Sequence, residues 1–233
     1  MVEKFHNELQ AVQKDVFTMG ELAKEMLRKS VDSFKKLDVK EAEWVLSKKS
    51  DIADLDDAIE AKTLQLIALY QPMAKDLRKI GCILKIITYL ARIGRYGKDI
   101  ANLTLELQNT THVKKLISIP HMADLVCAMI DDALYAFEHE DVSKFNSFME
   151  REQNVDELRY SIFRECLSYM MEDPKVITRC MHYTMVSRYL ERCGDHACKM
   201  AEKIYYMVTG KRVEIDCSKE TAKTCFVKVK PDD

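Results

Sequence analysis

Apolar residues recur at steps of three and four along most of the chain, the spacing that gathers them on one face of a helix. From about Glu3 to Leu37 the set is Leu9, Val12, Val16, Met19, Leu22, Ala23, Met26 and Leu27. It predicts one long amphipathic helix. Asp38 then precedes Val39 and Glu41, a pattern expected of an N-cap with acid in the first turn. A second helical stretch runs to about Leu69, and Tyr70-Gln71-Pro72 restarts the chain. The third continues to about Asn109, where Asn109-Thr110-Thr111 reads as a loop, and Pro120 opens a fourth. Breaks near Glu140-Asp141 and Asp173-Pro174 delimit a fifth and a sixth, which ends at Thr209-Gly210 with glycine in a typical C′ position. Lys211 to Asp233, with Val213, Ile215, Phe226, Val227 and Val229, is compatible with an extended segment or with disorder.

The two halves resemble each other. A shift of 103 residues pairs Met19 with Met122, Leu22 with Leu125, Met26 with Met129 and Phe34 with Phe137. It also pairs Asp38-Val39 with Asp141-Val142, Leu55 with Leu158 and Ile59 with Ile162. In the third helix of each half the shift falls to 100, so Tyr89-Leu90, Arg92, Gly94 and Ala101 meet Tyr189-Leu190, Arg192, Gly194 and Ala201. A loop deletion produces such a change. Apolar matches arise in any two amphipathic helices, but a shared Arg-x-Gly and a shared capping Asp-Val do not. A period near 100 residues suits a duplicated three-helix bundle rather than a solenoid. The expected fold is all-α: residues 1–112 as a first bundle, 113–210 as a second, and 211–233 as a tail.

Composition narrows the function. With 6 glycines and 4 prolines in 233 residues, neither a turn-rich β-sandwich or barrel nor a Gly-rich phosphate loop is expected. The 36 basic residues nearly balance 38 acidic ones, a net charge of -2. With neither a basic stripe nor a helix-turn-helix pattern, nucleic acid is not an expected partner. MVEKFHNELQ lacks a signal peptide's apolar run, and the apolar stretch Ile80–Ile93 is interrupted by Lys85 and Arg92. That stretch is too short to span a bilayer, so a cytoplasmic protein without membrane insertion is expected. The 8 cysteines contain no Cys-x-x-Cys, and Cys193 and Cys198 are poorly spaced for zinc or redox chemistry. They read as small core residues of a reduced protein.

Chemistry concentrates in the second half. Glu191 and Asp195 stand four apart and project from one helix face, and Glu152 and Asp156 repeat that spacing on the preceding helix. Should the two faces meet, four carboxylates converge. Such groups cannot all stay ionised in a bundle without a cation, so a divalent or trivalent metal is a candidate. Among 38 acids several pairs at this spacing arise by chance, most of them on solvated faces. Gly194 between the carboxylates would allow close approach by a helix or ligand. His196, about 100° further around the helix, reads as a surface or supporting residue rather than a ligand.

Tyr189-Leu-Glu-Arg-Cys-Gly-Asp-His-Ala197, with Ala201-Glu202 and Val208-Thr-Gly-Lys-Arg212, closely resembles the signature of the PhoU family of phosphate-transport regulators. Gln71-Pro-Met-Ala-Lys-Asp-Leu-Arg78 resembles that family's loop and third-helix start, and Phe5, Glu8, Leu9 and Met19 its opening helix. The resemblance covers residues 1 to 212. It implies tandem three-helix bundles, usually as a homodimer, acting as a negative regulator of phosphate uptake and signalling. Implied partners are the ATPase subunit of the phosphate ABC transporter and, in many bacteria, a membrane sensor histidine kinase. Family members can carry iron, zinc or other metals on Glu/Asp-x-x-x-Asp motifs in each bundle.

This chain departs from that pattern in its first half. Where the second has Glu191 and Asp195, the first has Ala91 and Arg95, and opposite Glu152 and Asp156 stand Lys49 and Ala53. One metal site per chain is therefore expected, in the second bundle, chiefly tying the fifth and sixth helices together. Arg95 is expected either to repel a metal or to pair with Asp99 one turn on. No catalytic residues are expected: there is no Ser/His/Asp arrangement, and a ferritin-like diiron site needs two Glu-x-x-His motifs where only Glu3-Lys-Phe-His6 fits. The rival readings are a metal-dependent bundle enzyme, ferroxidase-like or phosphoesterase, and a dimeric scaffold. The 13 methionines read as core filler.

Overall fold

The computed structural model describes residues 2–215 and 228–229. The helices are α1 (Val2–Lys36), α2 (Val39–Ser47), α3 (Lys49–Tyr70), α4 (Ala74–Leu107), α5 (Ser118–His139), α6 (Phe148–Glu172) and α7 (Ile177–Thr209). Short 3₁₀ turns at Ser143–Ser147 and Pro174–Val176 precede α6 and α7. Two-residue strands β1 (Val213–Glu214) and β2 (Lys228–Val229) pair antiparallel, Val213 opposite Val229. Of the tail, residues 211–215 and 228–229 are described; Phe226 and Val227 lie outside the described residues.

The local signals act where the sequence places them. Asp38 is extended, and its Oδ1 accepts from the amides of Lys40 at 3.0 Å and Glu41 at 3.2 Å, opening α2. Asp141, its counterpart, accepts from the Ser143 amide at 2.9 Å, and Asp173 does the same for Lys175 beside Pro174. Gly210 adopts the left-handed conformation, φ 75°, and its amide returns to the Tyr206 carbonyl at 2.9 Å. One expectation is corrected: the second stretch is not a single helix. Lys48 closes α2, its amide reaching back to the Val45 carbonyl at 3.2 Å, and a new helix starts at Lys49. The second half begins the same stretch with its own irregularity, the 3₁₀ turn before α6.

Duplication is visible in burial. Met19, Met26 and Phe34 are buried in the first bundle, and Met122, Met129 and Phe137 in the second; Ile59 matches Ile162, and Leu90 matches Leu190. Each bundle turns its first and last helices toward the other, α1 against α5 and α4 against α7, leaving α2–α3 and α6 on opposite flanks. One hydrophobic core therefore runs through both. Six cysteines, among them Cys193 and Cys198, are buried free thiols within it.

Polar contacts hold the bundles in register. Lys24 of α1 reaches Asp131 of α5 at 2.5 Å and Glu21 at 2.8 Å, while Lys75 and Lys79 both grip Glu140 at 2.7 Å. In the linker the Val113 amide donates to the Tyr183 hydroxyl at 3.0 Å, and that hydroxyl lies 2.9 Å from His112 Nδ1. His112 Nε2 lies 3.0 Å from the Phe34 carbonyl, which can only accept. Nε2 therefore carries a proton, and in the neutral ring Tyr183 donates to Nδ1.

Between α4 and α7 runs an aromatic ladder. Tyr89 stacks on His196 with centroids 5.6 Å apart, His196 on Tyr96 at 5.9 Å, and Tyr96 on Tyr189 at 5.5 Å. The shift of 100 that pairs Tyr89 with Tyr189 also pairs Tyr96 with His196. The ladder is thus a pseudo-two-fold contact in which one tyrosine has become a histidine.

Candidate functional site

Glu152 and Asp156 are half-buried on α6, and Glu191 and Asp195 half-buried on α7, the helix that α6 packs against. Glu191 is the deeper of the α7 pair, its side chain 12% exposed against 36% for Asp195. Burial pushes the Glu191 carboxyl above its ordinary range, and the charge of Asp195 adds to the effect. Burial also raises Asp195, with Arg192 pulling it back and Asp156 pushing it up. Asp156 and Asp195 therefore lie close enough to interact electrostatically.

The structure adds counter-charges. Arg188 donates to Glu191 Oε1 at 2.5 Å, Arg192 to Asp195 Oδ2 at 3.4 Å, and Arg159 of α6 lies close enough to favour ionised Glu191. The sequence signal was present at i,i+3, Arg188 to Glu191 and Arg192 to Asp195, while Arg159 required knowing how α6 is rotated. Glu191 Oε2 remains buried without a hydrogen-bond partner.

The chemistry of this face suits a hard or borderline cation: oxygen donors, α7 carboxyls raised by burial, and the buried Glu191 Oε2 without a donor. Among the described residues, however, no group of three or more His, Cys, Asp or Glu is already arranged as a metal cage. The two α7 acids are each held by an arginine three residues earlier on the same helix. Glu152, Asp156, Glu191 and Asp195 are the residues that would hold a metal; exposed Arg188 and Arg192 are those that would yield.

In the first bundle Lys49, Ala53 and Arg95 are exposed and Ala91 is half-buried, so those positions present no acid. Asp99 pairs with Lys98 at 2.9 Å, which corrects the expected pairing with Arg95. Gly194 is not a point of close helix approach, because a Cβ there would meet nothing nearer than Val155 at 3.7 Å. His196 faces the other bundle rather than solvent or the carboxylates. Burial, reinforced by Arg92 and Arg192, lowers its pKa to about 4.

A family model described as the PhoU domain matches twice, at residues 16–104 and 119–204. The curated phosphate-specific transport system accessory protein PhoU homolog of Rhizobium meliloti is 36% identical over 211 residues, 90% of this chain and 89% of that protein. Its counterpart from Aquifex aeolicus is 34% identical over 217 residues, 93% of this chain and 98% of that protein. The crystal structure of PhoU from Pseudomonas aeruginosa superposes with a TM-score of 0.85 at 30% identity, covering 88% of this chain and 99% of that one. The phosphate transport system regulatory protein PhoU from Streptococcus pneumoniae gives 0.82 at 27% identity, over 90% and 99%. With both bundles matched in tandem and the fold shared over nearly its whole helical length, the chain belongs to the PhoU family.

Proposed function

We propose that this protein regulates a phosphate-specific transport system, docking on the transporter's ATPase subunit at the cytoplasmic face and restraining uptake. The observation that carries this reading is the match over both bundles to relatives named as accessory proteins of that system, at 36% and 34% identity. Among the described residues no helix is long and apolar enough to cross a membrane, in keeping with a protein that meets the transporter from outside the bilayer. Exposed Tyr160, Phe163, Leu167 and Met171 on α6 offer apolar surface to a partner or a second copy. Regulation follows from differential binding: by preferring one state of the ATPase cycle, the protein holds the transporter there. No catalytic step is invoked. A phosphate-sensing histidine kinase is a second candidate partner, and a homodimer the working assembly.

Affinity capture from cells grown in high and low phosphate tests this directly. Recovery of the transporter ATPase, varying with phosphate supply, is expected, together with raised uptake when the gene is deleted. Recovery of the bait alone in both conditions, with unchanged uptake, overturns it.

Within this reading we assign one metal per chain, iron or zinc, to Glu152, Asp156, Glu191 and Asp195. Its role is structural, tying α6 to α7 in place of arginine contacts that Arg188 and Arg192 make within α7. Metal analysis should find about one equivalent, lost in the Glu191→Ala, Asp195→Ala double variant. Two equal sites that survive this change would refute the assignment. Metal-dependent ferrous oxidation or phosphoester hydrolysis abolished in that variant would instead favour an enzyme.

A further inference from the structure

Away from the acidic face, a cleft of about 660 Å³ lies between the N-terminal part of α4, the C-terminal part of α7 and β1. Five cationic residues line it: Arg78 and Lys85 from α4, Lys199 and Lys203 from α7, and Arg212 just before β1. Two acids, Glu202 and Glu214, stand against them. Glu202 is already engaged, accepting from Lys199 at 2.8 Å and from the Ile215 amide at 3.0 Å. Among the described residues Arg78, Lys85 and Lys203 have no carboxylate within ion-pair distance, and Arg78 Nε is buried without a hydrogen-bond partner.

Duplication supplies a built-in control. Under the shift of 100, Arg78 and Lys85 correspond to Thr178 and Met185, and Lys199 and Lys203 to Asp99 and Leu103. All four helical cations are absent from the equivalent end of the molecule, so the cluster is not required by the fold. Like charges gathered in a concave site repel one another and focus a positive potential there. The wall also includes Tyr206, with Arg212 5.5 Å above its ring, and Gly81, where an added Cβ would meet nothing within 4 Å.

We propose that this cleft binds a small soluble anion bearing two or more phosphate groups. The excess of three cations calls for a multivalent ligand, the arginines suit phosphate oxygens, and the volume is that of a small-molecule site. Its concavity favours a soluble ligand over a flat lipid surface. The inference stands independently of the transporter and metal assignments.

Titration calorimetry on the full chain, in EDTA-containing buffer that removes metal, tests it with pyrophosphate and ATP as probes. Saturable 1:1 binding is expected for at least one of them, weakened at least tenfold in Lys85→Gln, Lys203→Gln and Arg78→Gln. The Gly81→Leu variant, which fills the cleft without changing its charge, should weaken binding comparably while circular dichroism remains unchanged. The Glu191→Ala, Asp195→Ala variant should bind like the parent, separating this site from the acidic face. Absence of saturable binding, or binding indifferent to the cleft variants, overturns the proposal. So does association only with phosphatidylglycerol vesicles, which would make the cleft a headgroup site.

Discussion

The last helices of the two bundles, α4 and α7, descend from one pattern but pack differently. A Cβ added at Gly97 would stand 3.1 Å from the backbone C and O of Met26 and 3.2 Å from the amide nitrogen of Leu27, so α4 lies directly on the backbone of α1. The matching position in α7 is Ala197, whose methyl is fully buried. One turn earlier, a Cβ at Gly94 would strike Ile52 Cδ1 at 2.4 Å, whereas one at Gly194 has 3.7 Å of clearance. The first bundle is drawn tight at these glycines and has no acids opposite Glu152, Asp156, Glu191 and Asp195; the second is looser there and carries those four. A duplicated fold can thus divide its tasks without changing its topology, because helix spacing and surface chemistry vary independently of helix order.

The largest separation between the halves is expected from glycine replacement. Gly97→Ala should destabilise by about 1–3 kcal/mol, since its obstacle is backbone rather than a side-chain tip. Gly194→Ala should be neutral or stabilise by up to about 1 kcal/mol through helix propensity. Thermal unfolding of both variants decides the matter; equal effects would dissolve the contrast.

The aromatic ladder offers a second test. His196 has a folded-state pKa lowered to about 4 against an ordinary 6.5. Between those values the unfolded chain binds more protons than the folded one, so stability falls as pH drops from 6.5 toward 4. With allowance for partial exposure, the loss is about 1–2 kcal/mol. Replacing the histidine by its counterpart, His196→Tyr, should flatten that part of the stability–pH curve, and an unchanged slope would place the titration elsewhere.

The smallest effect concerns the acidic face. Glu191 and Asp195 have raised folded-state pKa values. The folded protein therefore holds protons that the unfolded one has released, and stability falls as pH rises through that window. At neutral pH without metal, the ionised pair is a net cost. Glu191→Gln should raise Tm by about 1–3 °C in metal-free buffer and lower it relative to the parent once metal is added. A fall in both conditions would mean that the arginine contacts outweigh the repulsion.

Much of this was legible along the chain because it is local. Asp38, Asp173 and Gly210 act on backbone groups a few residues away, and apolar periodicity marks the buried face of each helix whatever packs against it. The repeat and the i,i+4 carboxylate pairs are likewise facts of spacing. What spacing cannot specify is how two helices are rotated and seated against each other. Arg159 beside Glu191, His196 between Tyr89 and Tyr96, and the union of Arg78 and Lys85 with Lys199 and Lys203 all depend on that choice. Local hydrogen bonding and the 3.6-residue period therefore determined the helices, their breaks and the faces they present. Only close packing of one bundle on the other decided which of those faces meet, and so where charge is compensated and where it is left in excess.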